Sequence, residues 1–179
     1  MLLQNLQVRL NGSKKIMLKS ESGKTHIRKG NKEDADEIAD ILLDFYNMVD
    51  KEEALKVFRN ELEKEFYYLV AINNNKILGL VTWLVHGLPK HGLFELDRIC
   101  ILGAFRGMGI GKKLVDALIV DAKEWYTNNN EKARKLYLLT HENNINAHLF
   151  YERIGFKHET TLKDHYYRNQ DERVYTVFL

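Results

Sequence analysis

The run Arg106-Gly107-Met108-Gly109-Ile110-Gly111 limits the possible folds of this chain more than any other stretch. Residues 93–102 before it read as a strand, and residues 112–126 after it read as an amphipathic helix. Three glycines at alternate positions remove the Cβ atoms that would hold a ligand away from the backbone. The start of the helix adds unpaired N–H groups and the positive end of a dipole. Strand, glycine turn and helix N-terminus together form an anion cradle suited to a phosphate or pyrophosphate. Two common phosphate motifs do not fit. The Walker loop requires Ser or Thr where Lys113 stands, and a glycine five residues before Gly111. The dinucleotide fingerprint would place its third glycine at Lys112. The alternative is a plain glycine turn with no ligand.

A chain of 179 residues suits one domain with a full core. Its net charge of +2 gives no basic footprint, so nucleic acid is not an expected partner. The single cysteine, Cys100, lies in an apolar strand-like run, where it reads as a small core residue. No disulfide can form within the chain, which suits a reducing cytoplasm. No stretch is long and apolar enough to span a membrane, and the first residues show no signal-peptide pattern. No metal site is expected.

Residues 6–10 and 15–19 alternate apolar and polar side chains around Asn11-Gly12-Ser13, a hairpin signal. The expected organisation is therefore a β-hairpin extension with its linker over residues 1–23, then one domain over 24–179. Residues 25–29 read as a strand, and Asn31 or Asp34 can cap the helix after it. Ala35, Ile38, Ala39, Leu42, Phe45, Tyr46 and Val49 recur at helical spacing. A second helix is expected over 51–65, with Leu55, Phe58 and Leu62 on one face. Asp36, Glu37, Asp40 and Asp44 form either a solvated face or an acidic lip for a cationic substrate.

Strands at 66–72 and 77–86 are joined by a tight turn at Asn73, Asn74 and Asn75, and Gly79 suggests a bulge. Residues 86–92 form a loop. The helix behind the glycine run buries Leu114, Val115, Leu118, Ala122 and Trp125. A strand at 136–140, a helix at 144–153 stopped by Gly155, and a hairpin from 156–167 and 174–179 complete the chain. The order β-α-α-β-β-β-α-β-α-β-β argues for a mixed sheet covered by helices.

Arg106, Gly109 and Gly111, as Arg-x-x-Gly-x-Gly, resemble the acyl-CoA pyrophosphate loop of the GNAT superfamily of N-acetyltransferases. Asn144-x-x-Ala147-x-x-x-Tyr151-Glu152-x-x-Gly155-Phe156 resembles that family's second signature. The resemblance covers about residues 25–179. It implies an α/β (α+β) GNAT-like fold: a mixed, mostly antiparallel sheet flanked by helices, here with the extra N-terminal β-hairpin. It also implies acetyl-CoA as cofactor, with its pantetheine arm between two strands that splay apart. The cofactor would be held by the backbone of Ile99 and Ile101, by the loop Arg106, Gly107, Met108, Gly109, Ile110 and Gly111, and by Lys112. Asn144 either ties its helix to the cofactor or is a simple N-cap.

Acetyl transfer to an amine needs a held cofactor, a polarised carbonyl, a deprotonated amine and a stabilised thiolate. Tyr151 is the candidate acid, since the motif tyrosine plays that part in many family members. Glu95 and Asp97 are the candidate bases; they share a face in a regular strand, and a bulge would bring Asp97 nearer the cleft. His141 is a third candidate, while His148 reads as a surface residue. Glu95-Leu96-Asp97-Arg98-Ile99 resembles bacterial spermidine/spermine acetyltransferases. The tail from His165 to Tyr175 resembles protein N-terminal acetyltransferases. The expected reaction is direct attack of a primary amine, a small amine or polyamine, in a ternary complex. The rivals are a protein N-terminus or lysine as acceptor, and a non-catalytic acyl-CoA sensor. Exposed sheet edges would make a homodimer unsurprising.

Overall fold

The computed structural model describes residues 24–179. The expected hairpin extension at 1–23 lies outside the described residues. Seven strands form one sheet in the order β1-β2-β3-β4-β5-β7-β6. Every neighbouring pair is antiparallel except β4 and β5. The mixed sheet is what the element order argues for, and its mostly antiparallel pairing is what the resemblance implies.

β1 (His26–Lys29) leads to a capping box. The Asn31 side chain accepts from the Glu33 N–H, and the Asp34 carboxylate accepts from the Asn31 N–H at 2.9 Å. Helix α1 (Ala35–Phe45) then buries Ile38, Ala39, Ile41 and Leu42. It stops four residues short of Val49, which is 88% exposed. The helical spacing overshoots because Tyr46 is already extended, and because Asp50 caps the next helix by accepting from the Glu53 N–H. Helix α2 (Lys51–Glu63) buries Ala54, Phe58 and Glu61, with Leu55 and Leu62 only partly covered.

β2 (Tyr67–Asn73) and β3 (Lys76–Val85) meet at Asn74 and Asn75, whose φ values of 49° and 58° give the left-handed turn that suits sheet twist. Their register passes from Ala71↔Gly79 to Ile72↔Ile77, so Leu78 is an extra residue beside Gly79. A Cβ on Gly79 would stand 2.4 Å from the Cys100 carbonyl oxygen. The glycine is there because β4 passes too close for any side chain.

β4 (Leu93–Ile101) carries the decisive irregularity. Trp83 pairs with Leu96 and Thr82 with Arg98, so Asp97 is an extra residue. Before it, Phe94 and Leu96 join the core under the later helices. After it, Ile99 and Ile101 continue on that face, and Cys100 joins the core under α1 and α2. Without the insertion, Arg98 and Cys100 would have followed Phe94 and Leu96.

Helix α3 (Ile110–Asn128) packs its stripe of Ile110, Leu114, Val115, Leu118 and Ala122 on the face opposite α1 and α2. Tyr126, not Trp125, completes this stripe; it is fully buried and its O–H donates to the Leu93 carbonyl at 2.7 Å. Asp121 accepts from the Trp83 indole at 3.0 Å and pairs with Lys29 at 2.8 Å. β5 (Lys135–His141), α4 (Ile145–Arg153), β6 (Lys157–Tyr167) and β7 (Gln170–Phe178) follow. Gly155 ends α4 with a φ of 100°, as a left-handed helix stop.

Replacing Gly79 by Val should lower stability by about 1–3 kcal/mol through overpacking against β4. Urea unfolding measures this; an unchanged midpoint would show that β4 can yield at that point.

Candidate active site

β4 and β5 run parallel and pair only at Leu93↔Lys135, Phe94↔Leu136 and Glu95↔Tyr137. Beyond that third pair the two strands part, as the expected cleft requires. Ile99 and Ile101 lie on the parted stretch and keep only β3 as a strand partner, through Val81 and Gly79. Their backbone is thus where an extended arm could pair, and Arg106 Nε already donates to the Ile101 carbonyl at 3.0 Å.

The glycine run lies at the far end of the cleft. After β4 a short turn, Gly103–Phe105, leads to Arg106, whose guanidinium stacks 5.2 Å over the Phe45 ring. Arg106 therefore braces the loop against both β4 and α1. Gly107 and Gly109 each have a φ of 77°, a left-handed conformation that L side chains rarely adopt. A Cβ at either would meet no protein atom within 4 Å, so the concave side of the loop is open. Gly109 caps α3 without a side-chain bond, and no acidic residue offsets the dipole in the first turn. These features fit a phosphate group.

Gly111 differs from the other two. A Cβ there would stand 3.0 Å from Phe150 Cζ and 3.4 Å from Ile101 Cδ1. It is a packing glycine that lets α4 close on α3. Lys112 pairs with Asp116 at 2.7 Å on the exposed helix surface. Asn144 accepts from the Ala147 N–H at 3.3 Å, so its side-chain oxygen serves the N-cap.

Tyr151 lies on α4 in the core on the α3 side, only 5% exposed. Its ring packs against Phe150, Phe156 and Tyr175. Burial holds its phenol well above the ordinary tyrosine value, with the nearby Cys100 as a second cause, so the hydroxyl stays protonated.

Glu95 points the other way. Phe94 and Leu96 face the α3 core, which turns Glu95 to the opposite face at the point where the strands part. Tyr137 O–H donates to Glu95 Oε2 at 2.9 Å. His86 Nε2 lies 2.6 Å from the same oxygen, though without the in-line geometry of a hydrogen bond. Burial, and then the Glu95 charge, hold the Tyr137 phenol well above its ordinary value.

Asp97 shares that face but is engaged. It accepts from Thr82 Oγ1 at 3.2 Å and pairs with Arg98 at 2.9 Å. Arg98 also reaches Glu61 at 2.7 Å and lies over the Tyr46 ring, and the Tyr68 hydroxyl donates to Glu61. Burial opposes the Arg98 charge, yet Asp97 and Glu61 outweigh it and hold the guanidinium above its ordinary value. Cys100 lies against the Tyr46 hydroxyl at 3.7 Å, and burial pushes its thiol up to about 11. It is a core residue and not a nucleophile.

Several other expectations change. His148 is not a surface residue: it is buried, with Nε2 3.1 Å from the His141 carbonyl. His141 is paired with the buried carboxylate of Glu172. The acids of α1 are largely paired: Lys51 bridges Asp36 and Asp40, and Glu37 accepts from the Ile77 N–H at 2.8 Å. They form a solvated and structural face.

The sequence reading missed His86 and Tyr137. Alternation in β5 could have put Tyr137 opposite Leu136 and Leu138, but nothing local marks His86. It also missed an excursion in β6. Leu162 pairs with Glu172 and Tyr167 with Gln170, so residues 163–166 form a wide bulge within β6. Tyr166 on this excursion is influenced by the charges of Glu95, Asp97 and Glu172, after burial, and its phenol is raised accordingly. Among the described residues no group of three or more His, Cys, Asp or Glu is placed to hold a metal.

The pattern of the acetyltransferase (GNAT) family matches residues 35–156. The chain belongs to this family. The spermine/spermidine N(1)-acetyltransferase of Bacillus subtilis strain 168 is 35% identical over 101 residues, which are 52% of this chain and 63% of that relative. The ribosomal protein bS18-alanine N-acetyltransferase of Haemophilus influenzae is 32% identical over 109 residues, 61% of this chain and 66% of that protein. The matches thus span less than two thirds of these relatives' lengths. The crystal structure of an N-acetyltransferase from Staphylococcus aureus Mu50 superposes with a TM-score of 0.68, covering 87% of this chain and 98% of that one at 23% identity. That likeness supports the GNAT fold, with the same sheet and flanking helices.

Gly109→Val should abolish detectable coenzyme A binding in calorimetry, because a branched side chain would fill the open loop and strain its left-handed backbone. A variant that folds and binds with unchanged affinity would remove the cradle.

Proposed function

We propose that this protein transfers an acetyl group from acetyl-CoA to a primary amine, by direct attack in a ternary complex. The observation that carries this reading is the placement of Glu95 and Tyr151 on opposite faces of the sheet around the parting of β4 and β5. Acetyl-CoA supplies the activated thioester. Gly107, Gly109 and the N–H groups at the start of α3 would hold its pyrophosphate. The parted backbone around Ile99 would take up its arm and orient the carbonyl. Tyr151, kept as the neutral phenol on the α4 side, donates a hydrogen bond to the sulfur as charge develops there. Its raised pKa suits hydrogen-bond donation better than complete proton transfer. Glu95, on the other face, accepts the proton that the amine must lose.

Of the two carboxylates, Glu95 suits the base better. Asp97 is already engaged by Arg98 at 2.9 Å and by the Thr82 hydroxyl at 3.2 Å. Asp97 instead adds negative charge near the acceptor, as does Glu172. With the rings of Tyr137 and Tyr166 nearby, this face favours a cationic acceptor, through its carboxylates and through cation–π contact. We therefore take the acceptor to be a small amine or polyamine, the class named in the Bacillus subtilis relative.

Thiol release from acetyl-CoA, measured over spermidine, spermine, diamines, amino acids and short peptides, should occur with the polyamines and diamines. Turnover on peptides alone would replace this acceptor by a protein N-terminus; the Haemophilus influenzae relative is named for an alanine of ribosomal protein bS18. No release with any amine, despite coenzyme A binding, would leave a sensor domain. Tyr151→Phe should lower turnover about 100-fold with acetyl-CoA affinity retained. Unchanged turnover would show that the phenol does not serve the leaving sulfur.

A further inference from the structure

His86 stands just past the end of β3, held by its backbone N–H donating to the Leu93 carbonyl at 2.9 Å. This bond sets the imidazole beside the first residues of β4. The ring lies 5.3 Å from the Tyr137 ring, centre to centre. Nε2 is fully enclosed by protein, 2.6 Å from Glu95 Oε2. The His86 side chain as a whole is nonetheless 39% exposed, against 13% for Glu95. The ring therefore runs from an enclosed carboxylate to open water.

Glu95 Oε2 has two neighbours with different abilities. The Tyr137 hydroxyl is already a donor to it at 2.9 Å, and it stays protonated at neutral pH. It can steady the carboxylate and cannot take a proton from it. The neutral imidazole of His86 can. The other titratable groups acting on this face are Asp97 on β4, Tyr166 on β6 and Glu172 on β7, the last paired with His141. The Arg98 cation is committed to Asp97 and Glu61.

We propose that His86 is the outlet for the amine's proton: Glu95 takes it from the substrate ammonium, and His86 carries it on to solvent. The proposal rests on the reading of Glu95 as the base. One N–H bond of the ammonium breaks as Glu95 gains an O–H, directly or through one water. That O–H breaks as His86 Nε2, turned into line with Oε2, gains the proton, and the imidazolium gives up its Nδ1 proton to water. Exchange with water returns the ring to the Nδ1–H tautomer, so the carboxylate and the accepting Nε2 are restored. The freed amine attacks the thioester carbonyl; as the C–S bond breaks, the nitrogen loses its second proton to water and the departing thiolate takes one up, so the relay carries one proton from ammonium to bulk. His86 acts through Glu95 and is a relay residue, not one that touches the acceptor.

A protonated His86 cannot take a further proton, and as a cation beside Glu95 it withholds the base. The rate should fall as pH drops, with apparent constants that belong to the coupled pair.

The test compares wild type, His86→Gln and Glu95→Gln in thiol release with the best amine of the panel, as kcat/KM against pH and with added imidazole. Acetyl-CoA affinity is followed by calorimetry. We expect His86→Gln to lose about tenfold or more in kcat, to shift the acid limb, to regain activity with imidazole, and to bind acetyl-CoA normally. Wild-type turnover in His86→Gln would overturn the relay. So would reduced turnover with an unmoved limb and no rescue, which marks a purely structural role. Should His86→Gln fail to fold, His86→Asn carries the same test. Wild-type turnover in Glu95→Gln would instead remove the reading of Glu95 as base. Lost turnover in Glu95→Gln beside an unimpaired His86→Gln removes the relay alone.

Discussion

One inserted residue in β4 decides how this sheet is used. A regular strand sends alternate side chains to alternate faces along its whole length. The extra residue at Asp97 breaks that rule once, in the strand that serves two helical layers. Glu95, Asp97 and Arg98 consequently gather on the face of α1 and α2, while Leu96 and Ile99 both stay with α3. A charged cluster arises beside the cleft without breaking either core. The ion-pair chain from Asp97 through Arg98 to Glu61 compensates the polar groups that the shift carries toward the interior.

The same strand then gives up a neighbour. Buried backbone groups without partners are costly, so a strand rarely leaves its sheet in mid-course. Here the loss begins at the pair Glu95↔Tyr137, close to the insertion. β3 continues to pair with β4 on its other edge as far as Ile101, and Arg106 takes up the Ile101 carbonyl. The parting is thus supported from behind and from the end. Only the side facing β5 is left for an extended ligand.

Much of this architecture was readable from the chain. The glycine run announced the left-handed turn that opens α3, and the Asn144 to Phe156 pattern announced α4 with Tyr151 on it. Local signals did well where the cause was local: Asn31 as a cap, Gly155 as a stop, the asparagine turn between β2 and β3. Contacts between distant residues were harder to see. His141 meets Glu172 only because β5 and β7 come together, and His86 meets Glu95 only through the register of the β3–β4 hairpin. His148 was misread for the same reason, since a helical histidine carries no sign of which face will be covered. The bulge at 163–166 has no glycine or proline to announce it.

Gly111 has a consequence beyond the loop it closes. Because Phe150 sits 3.0 Å from where its Cβ would be, α3 and α4 are seated together without a side chain of Gly111 between them. The helix that begins at the glycine loop is therefore indexed against the helix that carries Tyr151. On the proposed reading, the span from loop to phenol is a fixed length of the protein. The cleft would then act as a gauge: a carrier arm too short would leave its thioester short of the parting strands, and one too long would have to buckle.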